Sequence, residues 1–208
     1  MKYDWKKAEK QFYLPKTKPE VIEVPKFKFF TIEGQGNPND PFFGEYIGVL
    51  YSLSYAIRMS PKQKLAPEGF YEYTVFPLEG VWDIADHSKW VKGAPLDKDN
   101  LKFNLMIRQP EFVTEKYALE TIERVKVKKP SDLLVKVKFQ VIEEGKCIQM
   151  LHIGSYDNEP ENFRLMEKFA EEQGLKRLCK THREIYMSDF RKVPVEKLKT
   201  VLRFKVCS

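Results

Sequence analysis

The feature that most constrains this chain is a repeat within it. Thr31-Ile32-Glu33-Gly34, a polar turn and Asp40-Pro41 lead into a helical pattern. His152-Ile153-Gly154-Ser155-Tyr156, a polar turn and Glu159-Pro160 do the same in the second half. An acidic residue directly before proline fits a helix start, where a side-chain oxygen can cap and proline loses nothing by lacking an N–H. Two copies of one strand-turn-helix unit predict an α+β fold built from a duplicated strand-helix-strand-strand module, with largely antiparallel strands and a cleft between the copies. At 208 residues the chain is long enough to bury a proper core, as one large domain or two small fused modules.

The elements are read from periodicity. Lys26–Glu33, Phe70–Pro77, Leu101–Arg108 and His182–Ser188 are predicted as strands from their alternation and their β-branched and aromatic content. Leu133–Glu143 and Lys146–His152 are predicted as a hairpin turning at Gly145. Helices are predicted from Phe42 to Met59, from Pro110 to about Val127, from Asn158 to near Gly174, and briefly from Pro194 to Arg203. Residues 81–90 read as a polar loop carrying Trp82 and Trp90. Residues 1–26 are expected as an N-terminal arm, and 27–208 as a single domain of two pseudo-symmetric halves, about 27–110 and 131–208.

Charge placement excludes more than its sum does. The formal net charge is +6, but residues 1–28 carry eight basic and four acidic side chains, and residues 189–208 carry six and two. Each end is therefore +4, and the body is nearly neutral. A nucleic-acid binder concentrates positive charge on its working face, so direct nucleic-acid binding is not expected. No apolar run approaches the ~18 residues of a membrane span, and Met1-Lys-Tyr-Asp-Trp carries no apolar signal-peptide core, so no signal peptide is expected. The three cysteines, Cys147, Cys179 and Cys207, are widely spaced and odd in number. They suit a reducing compartment, and a cytoplasmic location is expected.

Chemistry is concentrated in Thr181-His182-Arg183-Glu184-Ile185-Tyr186-Met187-Ser188. Side chains alternate between the faces of a strand, so His182, Glu184 and Tyr186 share one face. Ile185 and Met187 share the other, which is expected to meet the helices. The trio is either a solvated face, with Glu184 paired to a lysine, or a ligand site. Ten tyrosines, three tryptophans and fifteen phenylalanines exceed the needs of a core this size and favour an aromatic-walled site for a planar hydrophobic small molecule. The candidates for that wall are Trp82, Trp90, Tyr46, Tyr55, Tyr73, Tyr117, Phe112 and His182. Cys179-x-x-His182 and Cys147-x4-His152 are lone pairs, short of the four ligands of a closed zinc site. No phosphate-binding loop, dinucleotide fingerprint or nucleophile elbow occurs. No metal and no cofactor are expected.

Four stretches carry a resemblance: Pro77-Leu78-Glu79-Gly80-Val81-Trp82; Leu105 to Thr114; Leu151-His152-Ile153-Gly154-Ser155-Tyr156-Asp157-Asn158-Glu159-Pro160; and His182 to Asp189. Together they resemble the stand-alone GyrI-like small-molecule-binding family, along nearly the whole chain. The resemblance implies a duplicated strand-helix-strand-strand fold with a central cleft, and a pocket glutamate at the position of Glu184. It also implies a branch of hydrolases that open the cyclopropane of DNA-alkylating natural products of the duocarmycin and yatakemycin type. Glu184, Tyr186 and Trp82 are carried over as catalytic candidates. The same module forms the effector domain of multidrug-responsive regulators, which implies the alternative of binding hydrophobic or cationic drugs without turnover. An interaction with gyrase is implied by family analogy only. Ser155, Phe190 and Phe103 depart from the usual proline, proline and tryptophan of the family.

Overall fold

The computed structural model describes residues 2–89 and 96–208. Two one-turn helices, α1 (Trp5–Ala8) and α2 (Lys10–Tyr13), precede the long strand β1 (Glu20–Gln35). Helix α3 (Pro41–Arg58), β2 (Leu78–Ile84), β3 (Leu101–Gln109) and α4 (Glu115–Lys128) follow. The second half runs β4 (Lys138–Ile153), α5 (Glu159–Glu172), β5 (Lys176–Arg177), β6 (His182–Tyr186) and β7 (Lys199–Cys207). The residues gather into two compact units. The first is Phe27–Ile142 and takes in Tyr3; the second joins Asp4–Lys26 to Glu143–Ser208. The segment expected as an arm thus lies largely within the second unit.

Each unit repeats one plan. In the first, β3 runs antiparallel to β1 (Lys28 opposite Gln109, Gln35 opposite Lys102) and to β2 (Leu78 opposite Ile107). In the second, β7 runs antiparallel to β4 (Cys147 opposite Lys205) and to β6 (Arg183 opposite Arg203), with β5 at its end. Long strand, helix, and two more strands with the last one central is therefore the order in both, and the α+β antiparallel class holds. Both long strands exit through a glycine at positive φ, Gly36 at 116° and Gly154 at 123°. A side chain would strain the backbone there, which is why the repeat carries glycine at both points.

Packing follows from the patterns. Helix α3 buries Phe43, Val49, Leu50, Leu53 and Ile57 in the first unit and leaves Tyr55 exposed, so its burial is one-sided. Helix α5 sets Met166 and Ala170 against Ile148, Met150, Leu202, Phe204 and Val206. Thr114 caps α4, its Oγ1 accepting from the Tyr117 N–H at 3.2 Å.

Four expectations are corrected. Phe70–Pro77 is not a strand; only Tyr73 bridges, to Tyr3, and Phe70, Tyr71 and Tyr73 cluster around Phe112. The backbone there is satisfied by Tyr3 and by the Arg58 guanidinium, which donates to the Tyr73 carbonyl at 2.6 Å. Trp82 lies on β2 opposite Phe103, not in a loop; Trp90 lies outside the described residues. The hairpin at Gly145 is one continuous strand, because Cys147–Ile153 finds its partner in β7. Finally, Pro194–Arg203 is a single 3-10 turn (Val195–Lys197) followed by β7, whose Thr200–Phe204 run is buried throughout, as suits a central strand. Among the described residues no helix is long and apolar enough to cross a membrane.

Candidate active site

The chemistry of the second unit begins with strand alternation. Glu184 lies opposite Leu202, and Ile185 opposite Val201. Leu202 belongs to the core under α5, so His182, Glu184 and Tyr186 point toward the helix and Ile185 points away. This reverses the expected orientation. The trio is covered by the start of α5, and a carboxylate placed there is shielded from water.

Glu184 is 8% exposed. His182 Nε2 lies 2.9 Å from Glu184 Oε1, and Tyr186 Oη donates to Glu184 Oε2 at 2.8 Å. A carboxylate only accepts, so the facing His182 nitrogen carries a proton. The His182 ring packs on Phe163 of α5, centroids 4.6 Å apart, and Tyr186 meets the edge of Tyr156 at 6.1 Å. Each donor of the trio is therefore held by an aromatic neighbour as well as by its hydrogen bond.

A second acid completes the group. Glu159, first residue of α5, is 6% exposed, and its Oε1 is buried without an N–H or hydroxyl donor. The group it meets is Glu184: one atom each from Glu159, His182 and Glu184 all lie within 4.8 Å of one another. Such a cluster has the donor chemistry to converge on a divalent cation or on protons; within it His182 Nε2 and Glu184 Oε1 are joined by a hydrogen bond. Two buried carboxylates this close cannot both ionise. Burial first, then the Glu184 charge and its hydrogen bond, hold the Glu159 carboxyl well above the usual carboxylate range. Burial also pushes the Tyr156 hydroxyl up to about 12, with the Glu184, Glu159 and Asp189 charges adding to it.

The turn before α5 is pinned by His152. The Ser155 carbonyl can only accept, so His152 Nε2 donates to it at 2.9 Å, and Nδ1 accepts from Asn162 Nδ2 at 2.7 Å. That bridge fixes where Glu159 enters the site. On the opposite face of the sheet, Glu144 is ion-paired with Arg183 at 3.0 Å and accepts a hydrogen bond from Arg203 at 2.9 Å. Arg203 also donates to Gln149 at 2.8 Å and to the Phe12 carbonyl at 2.7 Å, tying the α2 segment across that face. Burial alone would raise the Glu144 pKa, but the Arg183 and Arg203 guanidiniums hold it below the usual carboxylate range.

The remaining expected wall residues belong to the first unit. Trp82, 6% exposed, packs on Phe43 and Phe103. Tyr46 packs on Phe42 and Phe103. Tyr73 and Tyr117 are buried, their hydroxyls donating to the Ser54 and Leu65 carbonyls, and Phe112 joins Tyr73. Tyr55 is exposed. The structure thus brings together His182, Glu184 and Tyr186, and adds Glu159 and Tyr156, neither of which the sequence reading had assigned to the site. The signal for Glu159 was present in the repeat. An acid before proline was read as a helix start in both copies, but Asp40 is exposed while Glu159 is buried.

Comparison with known proteins agrees with this architecture. The model of the GyrI-like small molecule binding domain matches residues 84–206. A hydrolase from Listeria innocua of known crystal structure is 36% identical, with 99% of this chain and 100% of that chain covered and a TM-score of 0.87. An uncharacterized conserved protein from Listeria innocua is 38% identical, with 99% and 100% covered and a TM-score of 0.89. The EcmrR C-terminal domain shares the fold at 13% identity, with 92% and 98% covered and a TM-score of 0.56. No curated protein gives a significant match. With more than half of its length matched by the family model, and with these elements in this order, the chain belongs to the GyrI-like small-molecule-binding domain family.

Proposed function

We propose that this protein is a hydrolase that opens the cyclopropane ring of planar, DNA-alkylating cyclopropanoids, and so removes a genotoxin. The observation that carries the reading is Glu184: a buried carboxylate, faced by His182, Tyr186 and Glu159, under aromatic cover. Full-length similarity to a Listeria innocua hydrolase supports water as the second reactant, and the resemblance noted in the sequence supports the substrate class. Glu184 removes a proton from water as the oxygen attacks the cyclopropane carbon. The strained C–C bond breaks, and its electron pair moves into the conjugated dienone to leave a phenolate. The proton taken by Glu184 is released to solvent, and the phenolate takes one up, so one water is added in all. Tyr186 steadies Glu184 by donating its hydroxyl to Oε2 at 2.8 Å. Trp82, buried in the first unit, has its indole against Phe43 and Phe103, so its role here is packing.

A second reading is favoured by the same charge. A single carboxylate among aromatic rings also suits a lipophilic cation, held without turnover. Mass spectrometry of a duocarmycin-type compound incubated with the protein separates the two. Hydrolysis adds one water, and Glu184→Gln should slow it by about 10²–10⁴-fold, the usual cost of losing a general base. Turnover at the wild-type rate in Glu184→Gln would remove Glu184 from the mechanism. An unchanged compound, with a rhodamine-type cation bound in a Glu184-dependent way, would establish the binding reading instead.

A further inference from the structure

We propose that Glu159 is the second functional carboxyl of this site: it keeps a proton, shares it with Glu184, and so holds the pair at one negative charge. The functional half of this proposal rests on the hydrolytic reading above, whereas the shared proton does not. The geometry leaves little choice. Glu159 and Glu184 are 6% and 8% exposed, and their carboxyls meet within the 4.8 Å cluster. Glu159 Oε1 is buried with no hydrogen-bond partner among the described residues, and a carboxyl proton held by the pair is what would satisfy it. Its placement at the first residue of α5 is fixed from outside by the His152 bridge between Ser155 and Asn162.

The other groups around the pair do not supply a second positive charge. His182 and Tyr186 face it from β6, Tyr156 and Asp157 from the turn before α5, His152 stands behind that turn on β4, and Asp189 lies past the end of β6. Among the described residues, His182 is the cationic candidate in contact with the pair, and it already serves Glu184 Oε1 at 2.9 Å. A pair stripped of its proton would carry two buried negative charges against that single imidazole. Glu159 therefore acts as a positioning residue. It orients Glu184 and confines the negative charge to the carboxylate that His182 and Tyr186 address, leaving Glu184 the base. When Glu184 takes a proton from water the pair passes from one proton to two, and it resets by releasing one.

The sign of the pH dependence follows. Glu159 is held above the usual range, so the proton is present below the raised value and is lost as pH rises through it. Alkaline pH should therefore stop the site by putting a second charge into it.

The test has two arms on the full chain. In the first, protein labelled with carbon-13 at glutamate carboxyls is titrated by NMR without substrate. One carboxyl should stay protonated through neutral pH. That signal should vanish in Glu159→Gln, and should persist with a lower midpoint in Glu184→Gln, where the neighbouring charge is gone. In the second arm, turnover of the cyclopropanoid is followed against pH. Glu159→Gln keeps a neutral hydrogen-bonding side chain, so its rate at neutral pH should fall by no more than about tenfold, the worth of one neutral hydrogen bond. Its alkaline loss should disappear. A titration with every glutamate in the ordinary range, or a persistent signal displaced by stoichiometric Zn²⁺ in a Glu159-dependent way, would overturn the shared proton. An alkaline limb unchanged in Glu159→Gln would overturn its role in turnover. A protonated Glu159 in a protein that turns nothing over would uphold the shared proton and refute the hydrolase.

Discussion

Replacing Glu144 by glutamine should cost more than any other single charge removal in the second unit. Glu144 is buried, with Arg183 at 3.0 Å and Arg203 at 2.9 Å, and the side chains of those arginines are only 4% and 3% exposed. Glutamine keeps the shape but removes a negative charge that lies between two buried cations. Breaking a buried pair from one side costs about 3–5 kcal/mol, because the abandoned charge stays in the interior. Two arginines do not double that figure. Arg203 keeps Gln149 and the Phe12 carbonyl, so its guanidinium remains largely hydrogen-bonded. The assay is urea unfolding at neutral pH by fluorescence, with Glu172→Gln as the control. Lys168 and Glu172 form an exposed pair at 3.9 Å, worth no more than about 0.5 kcal/mol. The pH dependence supplies an independent check. Glu144 sits below its ordinary value of 4.5, so its contribution is present above that pH and is lost as pH falls through the lowered value. Wild type should weaken on acidification more steeply than Glu144→Gln. A loss below about 1 kcal/mol, or parallel acid profiles, would refute the reasoning that a buried charge triad holds this sheet face.

Other perturbations probe separate links. Met166→Ala removes a fully buried side chain from the core of the second unit and should cost about 2–5 kcal/mol in urea unfolding. Gly34→Ala places a Cβ 2.5 Å from two Phe103 ring carbons and 2.8 Å from the Tyr46 ring; the expected destabilisation is about 1–3 kcal/mol, read as a lowered thermal midpoint. Among the cysteines, Cys147 is buried, and burial pushes its thiol up to about 12. A thiol reagent should therefore modify Cys179 and Cys207 in the native protein and reach Cys147 only after denaturant is added.

Much of this fold is legible in local pattern, and the exceptions have physical causes. The same-face placement of His182, Glu184 and Tyr186 follows from period two alone, and the duplication from two acid-proline helix starts. What local pattern does not contain is which face a helix covers. Ile185 and Met187 looked like the packed side, but Ile185 lies with Arg183 on the face closed by the α2 segment, while Glu184 lies with Leu202 under α5. The last strand misled for a related reason. Pro194-Val195-Glu196-Lys197 opens like a helix, and one turn of 3-10 helix does form, but Thr200–Phe204 is claimed by β4 and β6 on either side. Tertiary pairing overrides local propensity there. The aromatic excess was read as a ligand wall, yet Trp82, Tyr73 and Phe112 are occupied in packing within the first unit. Glu159 escaped because burial of a helix-start acid depends on what lies across from it, which here is Glu184.

The Arg203 bond to the Phe12 carbonyl joins residues 191 positions apart. On the ribosome this gives the two units unequal timetables. Phe27–Ile142 holds nearly all of the first unit in one stretch and can condense as it emerges. The second unit waits for β7, its central strand, which is made after β4, β5 and β6. Until then β4 and β6 have no common neighbour, the α2 segment has no Arg203 to bind, and Glu184 stands beside an unfinished sheet. Closing so long a loop is entropically slow, so the site should mature after the first unit. Slowing the release of the final strand should delay activity without delaying the first unit.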